Sequence, residues 1–246
     1  YIPVASTTNF STSVVAEIET TNEVVSFTGL NENPYLYSQD FSNAIWNVAG
    51  LTILADQTTA PDGTTTGNEW TETATTEAHR VLGYGTGQAD VEQGIGIFVF
   101  SAYFKKGDGA TAPDWIQLTC GGASSAYANF NLTTISVGNS STLTATITDE
   151  GNGWRRCSYT LDTGSVDYGN TFFPIYKLTD NTDIALGGTS SNPYLGKITS
   201  NVYVWGAQIE YLTAVSTYVP TTTKGLYALT GVTRGVNGTT AQAASS

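Results

Sequence analysis

The stretch VYVWGAQIEY, Val202 to Tyr211, alternates large apolar residues around a single glycine and closes on a carboxylate beside a tyrosine. A strand with a side-chain period of two puts Val202, Val204, Gly206 and Gln208 on one face. Tyr203, Trp205, Ala207, Ile209 and Tyr211 fall on the other. Both faces are largely apolar. A strand apolar on both sides belongs in the middle of a sheet with a second layer stacked over it, so the rest of the chain is expected to supply neighbours and a second sheet.

Runs with strand character recur on either side of this stretch. We predict strands over Leu51–Leu54, Asn68–Thr71, Ala78–Leu82, Ile97–Phe104, Trp115–Cys120, Ala126–Leu132, Leu143–Thr148, Trp154–Leu161, Thr171–Leu178 and Val202–Tyr211, with turn residues between them. No segment has the periodicity of an amphipathic helix. Many short strands separated by Gly, Asn, Ser and Thr predict an all-β fold, a sandwich or a barrel.

Composition narrows the function. Charged residues make up only 12% of the 246, and 21 acids against 9 bases give a formal charge of -12. That charge opposes a nucleic-acid backbone or an anionic membrane as partner. No apolar run approaches the ~20 residues that cross a bilayer as a helix, so membrane insertion is not expected. Cys120 is in phase with Ile116 and Leu118, and Cys157 with Tyr159 and Leu161, so both read as small core residues, with free thiols favoured over a bridge.

The two ends of the chain lack a core of their own. Residues 1–30 hold two strands, Val14–Ile18 and Glu23–Phe27, joined by the polar turn Glu19–Asn22, and residues 225–246 hold one short strand-like run. A lone hairpin is marginal in water, so these pieces are expected to need each other or a neighbouring subunit, which points to a homo-oligomer or an assembly.

The segments FSTSVVAEIETTNEVVSFTG and LTGVTRGVNGTTAQAA together resemble a small β-module of bacteriophage tail and fibre proteins. Between them, LYSQDFSNAIW, APDGTTTGNEWTE, FSAYFKKGD, FNLTTISVGN, ITDEGNGWRRCSYTL and VYVWGAQIEYLTAVSTYVPTT resemble, in order, the carbohydrate-binding-module-like jelly roll carried by many phage virion proteins. The resemblance implies a concanavalin- or carbohydrate-binding-module-like jelly-roll β-sandwich over 33–223. This would be inserted into a discontinuous module made of 1–30 and 225–246. Insertion at an exposed turn requires the ends of the insert, Asn33 and Thr223, to lie close together. It also implies a virion location in a tail, fibre or capsid appendage, with other virion subunits and a cell-surface glycan as partners.

Enzyme chemistry has little to stand on. The single histidine, His79, would have to carry any Ser-His-Asp arrangement alone, and no GxSxG context or paired zinc-binding histidines occur. Acids such as Glu69, Glu72, Asp90, Glu92, Asp149, Asp162 and Asp167 are plentiful, but most sit beside Gly or Asn, where turn chemistry explains them. We therefore expect a non-enzyme, with a polysaccharide depolymerase as the weakest of the readings.

Sugar binding needs exposed aromatic rings with amides or guanidinium groups beside them. By the jelly-roll resemblance Trp46, Trp154 and Trp205 fall at recurring packing positions and Trp70 stands where the family usually carries an aliphatic residue, so all four are expected in the core. Trp115, Tyr127 and Tyr84, with His79, Arg80, Gln117 and Asn129, form the candidate ligand-binding face; the same residues are also explained as ordinary packing, which leaves a structural or decoration domain without ligand as the alternative. Related jelly rolls hold a structural Ca²⁺ between their first and last strands. That resemblance designates Asp40, Gln208 and Glu210 as its possible ligands here; no other cofactor is expected.

Overall fold

The computed structural model describes residues 2–4, 14–18, 23–27, 29–33, 35–83, 97–109, 114–120, 126–141, 144–162, 173–182, 193–210, 212–223 and 226–230. The run that begins at Val202 lies in a ten-residue strand, Asn201–Glu210, inside a sheet, as its two apolar faces require; Tyr211 lies outside the described residues. In chain order the strands are β1 (Ile2–Val4), β2 (Val14–Ile18), β3 (Glu23–Phe27), β4 (Gly29–Asn33), β5 (Trp46–Ala49), β6 (Leu51–Thr58) and β7 (Gly67–Glu72). Next come β8 (Thr76–Glu77), β9 (Arg80–Gly83), β10 (Ile97–Lys106), β11 (Trp115–Thr119), β12 (Tyr127–Asn131) and β13 (Ser136–Ser140). The last are β14 (Thr144–Gly151), β15 (Trp154–Asp162), β16 (Phe173–Leu178), β17 (Tyr194–Leu195), β18 (Asn201–Glu210) and β19 (Leu226–Thr230). No helix occurs among the described residues.

Two six-stranded antiparallel sheets form the sandwich. The first runs β14-β15-β10-β18-β7-β6 and the second β13-β12-β11-β16-β9-β5. Consecutive strands repeatedly switch sheets, the wiring of a jelly roll. All ten predicted strands are present with small boundary shifts. In the sandwich and at its rim, β5, β8, β13 and β17 fall outside the predicted runs: they are short or rich in Ser, Gly and Asn, and neighbours impose their extended form.

Alternation along each strand builds the core. Phe98, Phe100, Ala102 and Phe104 of β10, Trp70 of β7, and Val202 and Val204 of β18 meet Ile116 and Leu118 of β11, Phe130 of β12 and Val81 of β9 between the sheets. Trp46 joins this core, whereas Trp154 and Trp205 are buried in a second cluster with Tyr103 and Ala60. Trp154 Nε1 donates to the Thr59 carbonyl at 2.9 Å, and Trp205 Nε1 to Thr66 Oγ1 at 2.9 Å. Cys120 and Cys157 are free and buried.

The strict period of two fails inside β18. Tyr103 pairs with Trp205 and Ser101 with Gln208, so β18 carries one extra residue and bulges. Gly206 takes φ +64° at that point, a left-handed conformation open to glycine. After it Ala207 and Ile209 turn into the core beside Val202 and Val204, and Gln208 and Glu210 move to the opposite side. The expected face assignment therefore holds before the glycine and inverts after it.

Residues near the two ends of the sandwich run side by side. Asn33 Nδ2 donates to the carbonyls of Ala207 and Val219, each at 2.9 Å. Tyr37 N reaches Thr222 O at 2.8 Å, and Thr221 Oγ1 donates to the Tyr35 carbonyl. Just outside them β4 pairs with β19, which also pairs with β1, and β2 pairs with β3 as a separate hairpin.

Candidate functional site

Period-two alternation in the second sheet decides which candidates share a surface. Ile116 and Leu118 of β11, Ala128 and Phe130 of β12, Ile175 of β16 and Val81 of β9 are core residues. Their neighbours Trp115, Gln117, Tyr127, Asn129, Tyr176 and Arg80 consequently face away from the core. Strand register then sets them in order: Asn129 lies opposite Gln117, Gln117 opposite Tyr176, and Tyr176 opposite Arg80. One row of two amides, a phenol and a guanidinium crosses four adjacent strands.

The row is anchored at one end. Gln117 Nε2 donates to Asn129 Oδ1 at 2.7 Å, and Asn129 Nδ2 donates to the Asn181 carbonyl at 3.0 Å. The turn after β16 carries Asn181, whose Oδ1 accepts from Asn139 N at 2.7 Å on β13. Gln117, Asn129 and Tyr176 are buried, whereas Trp115, Tyr127 and Arg80 keep part of their surface. Trp115 packs against Tyr176 and Leu178, and a Cβ at Gly138 would stand 2.6 Å from its ring. That glycine lets the β13 backbone approach the indole.

At the other end, Arg80 Nη1 donates to Asn47 Oδ1 at 3.3 Å. Tyr176 Oη is buried and finds no hydrogen-bond partner among the described residues. Five of the expected face residues, Trp115, Tyr127, Arg80, Gln117 and Asn129, are thus brought together; Tyr84 lies outside the described residues. Tyr176 and Asn181 extend the face beyond the expected set, although Tyr176 follows from its phase opposite Ile175 in FPIYKL.

His79 does not belong to this face. It precedes Arg80, so alternation sends it to the inner side, where it is fully buried and its ring lies 4.3 Å from that of Tyr194. There it adjoins a polar cluster that the sequence did not reveal. Lys177, inward-facing like Ile175, places Nζ 3.2 Å from Glu72 Oε1 and donates to the Ser200 carbonyl at 2.8 Å. Glu72 also accepts from Tyr194 Oη at 2.9 Å, Ser200 Oγ at 2.8 Å and Lys197 N at 2.8 Å. Glu72 is thus a cross-sheet anchor, not a turn acid.

Charge in this cluster is set by the competition between burial and partners. Burial acts to raise the Glu72 pKa, but the Lys177 ammonium and the donors from Lys197, Ser200 and Tyr194 outweigh it and hold the carboxyl below its ordinary value. Burial pushes Lys177 down to about 8 against the pull of Glu72. His79 is also pushed down by burial, with Glu72 opposing.

The three possible calcium ligands each accept hydrogen bonds from neighbouring parts of the chain. Asp40 Oδ1 accepts from Ser42 N at 3.1 Å and from Ser42 Oγ at 2.6 Å, closing a local turn. Gln208 Oε1 accepts from Val219 N at 2.7 Å, and Glu210 accepts from the backbone and hydroxyl of Ser216. Burial raises the Glu210 pKa. Among the described residues no three His, Cys, Asp or Glu side chains gather as a metal site; Asp40, Gln208 and Glu210 each accept hydrogen bonds from a nearby turn or strand end.

No family model and no curated protein matches the chain. Among solved structures, it is similar to the CBM22-1-GH10 modules of the Clostridium thermocellum endo-1,4-beta-D-xylanase 10B complexed with xylohexaose, at 10% identity and TM-score 0.41. That match covers 76% of this chain and 29% of the other. The CBM22-1 xylan-binding domain of Paenibacillus barcinonensis Xyn10C matches at 15% identity and TM-score 0.37, over 69% of this chain and 87% of that one. A carbohydrate esterase from the Shiga toxin-encoding bacteriophage phi24B matches at 12% identity and TM-score 0.38, over 75% and 100%. These are likenesses of general shape, and the fold assignment rests on the strand pairings.

Proposed function

We propose that the chain is a non-enzymatic virion component, of a tail, fibre or capsid appendage, whose β-sandwich binds host or environmental glycans on the outer face of its second sheet. The observation that carries the binding reading is the partly exposed set Trp115, Tyr127 and Arg80 on the outer face of the second sheet, held in place by the buried in-register residues Asn129, Gln117 and Tyr176 between them. Sugars offer hydroxyls to a guanidinium, and C–H faces to an indole or a phenol ring. Burial of His79, the single histidine, supports the non-enzymatic part. The virion placement rests on the resemblance of the terminal segments to phage tail modules.

In the same proposal residues 1–30 and 225–246 form one small module interrupted by 33–223. Pairing of β4 with β19, and the hydrogen bonds that hold residues 33–38 beside 217–222, support it. The shortness of the apolar runs in these two segments of sequence favours assembly with further subunits.

One observation favours a second reading, a packing or decoration domain without ligand. Gln117 and Asn129 bond each other and the turn at Asn181, which already satisfies part of the row. A glycan array probed with the full chain separates the two: specific binding lost in Trp115→Ala and Tyr127→Ala variants fits the first reading, and a blank array fits the second. Immunogold electron microscopy on purified particles tests the virion placement, which fails if label is absent.

A further inference from the structure

We infer that residues 194–199 form a strap on the rim of the sandwich, closed over the buried imidazole of His79 at neutral pH and released when that ring takes up a proton, while the two sheets stay folded.

The strap buries little apolar surface of its own. Leu195 and Ile198 are 63% and 71% exposed. Its described attachments are polar. β17 pairs with β8 over two residues, Tyr194 with Glu77 and Leu195 with Thr76, and Gly196 N donates to the Thr75 carbonyl at 3.1 Å. Two more attachments converge on one carboxylate: Glu72 accepts from Tyr194 Oη and from Lys197 N, and it also accepts from Ser200 Oγ, where the strap rejoins β18. A segment held by polar contacts at the surface opens at lower free energy than the core beneath it.

His79 lies directly under this strap. It is 0% exposed, and its ring is 4.3 Å from that of Tyr194. Gly196 passes so close that an added Cβ would collide with His79 Nε2, and one at Gly50 would stand 2.9 Å from Cδ2 of the same ring. Nε2 faces the Thr73 carbonyl at 3.5 Å, so the neutral ring carries its hydrogen there. Nδ1 is buried without a hydrogen-bond partner among the described residues. Protonation would place an N–H donor on Nδ1 with nothing to receive it, and a charge out of reach of water. Lifting the strap gives that donor water.

The charged and titratable groups around the ring come from four strands: Glu72 of β7, Glu77 of β8, Lys177 of β16 and Tyr194 of β17. The two acids favour an imidazolium and Lys177 opposes it, but burial outweighs the acids and holds His79 below its ordinary 6.5. The closed form therefore binds fewer protons than an open one with a solvated ring. As pH falls below about 6.5, the balance moves toward the open form. Glu72, held below 4.5, keeps its charge through this window, so His79 acts first.

The test is amide hydrogen exchange by NMR on the full chain at about pH 7.5 and about pH 5, each rate divided by its intrinsic value; one proton taken up with an open-state pKa near 6.5 can raise opening by at most about 30-fold. We expect protection of the Gly196 and Lys197 amides to fall by about 5- to 30-fold between these conditions, and that of Phe100 and Tyr159 in the central strands to stay unchanged. His79→Gln should abolish the fall. His79 is the single histidine, so its Hε1 resonance reports its titration in the native chain without any substitution, and its midpoint should coincide with the loss of strap protection.

Strap protection that is the same at both pH values overturns the inference. So does a fall shared equally by Phe100 and Tyr159, which would make the event global unfolding. A fall that persists in a folded His79→Gln chain, or a His79 midpoint separate from that of the strap, assigns the opening to another group and overturns it as well.

Discussion

Lys177 Nζ lies 3.2 Å from Glu72 Oε1, and this contact crosses from one sheet of the sandwich to the other. Both side chains are out of water, 0% and 4% exposed, so neither charge has solvent to fall back on. Lys177→Met should cost about 3–5 kcal/mol, because it strands the Glu72 carboxylate. Adding Glu72→Gln should recover a large part of that loss. Urea melts of the single and double variants measure both, and equal costs for the single and the double would contradict the pairing.

The same cluster makes stability depend on pH. His79 is pushed below its ordinary value of 6.5 by burial, so the folded chain binds fewer protons there than the unfolded one. Its contribution is complete above about 6.5 and declines as pH falls below that. Glu72, held below 4.5, contributes stability above that value and loses it as pH falls through its lowered pKa. Thermal melts should therefore drop in two stages on acidification, and His79→Gln should remove the first. An unchanged first stage in that variant would refute the assignment.

Lys177 acts at the alkaline end. With its folded pKa at about 8 against 10.5, its contribution grows as pH rises through that window. Between pH 8 and 10.5 the native chain should gain stability relative to Lys177→Met, read as the difference between their melting curves.

Gly206→Ala should destabilise the chain by about 1–2 kcal/mol, the cost of a left-handed residue with a Cβ. The added carbon would also meet Tyr103 Cδ2 at 3.0 Å, so the loss should not be relieved by local repacking. Denaturant midpoints check it; a neutral result would mean that the bulge shifts to another residue.

Trp115→Ala and Trp46→Ala should part company. Trp46 is in the main core and its truncation should cost about 3–5 kcal/mol, the range for a buried aromatic. Trp115 keeps exposed surface, so its truncation should cost less in stability while lowering glycan retention on an affinity gel. Loss of stability equal to that of Trp46→Ala would assign Trp115 to packing alone.

Much of the fold is legible in the residues alone. Period-two apolar runs mark all ten long or well-patterned strands, because half-buried strands must alternate. The same rule marks the buried cysteines. It fails where a single residue breaks the period: no pattern marks Gly206 as the bulge, since glycine in a strand serves several purposes. Placing His79 with Arg80 on one face runs against the rule itself, because successive residues of a strand point to opposite sides.

What the amino-acid sequence by itself determined is the all-β class and the position of the long strands, because local alternation of apolar side chains requires no knowledge of partners. Only the tertiary structure decided which strands lie side by side. Register between strands far apart in the chain set Asn129, Gln117, Tyr176 and Arg80 in one row, and brought Glu72 to Lys177 across the core. Such pairings depend on loop paths and on packing between sheets, which local sequence does not encode.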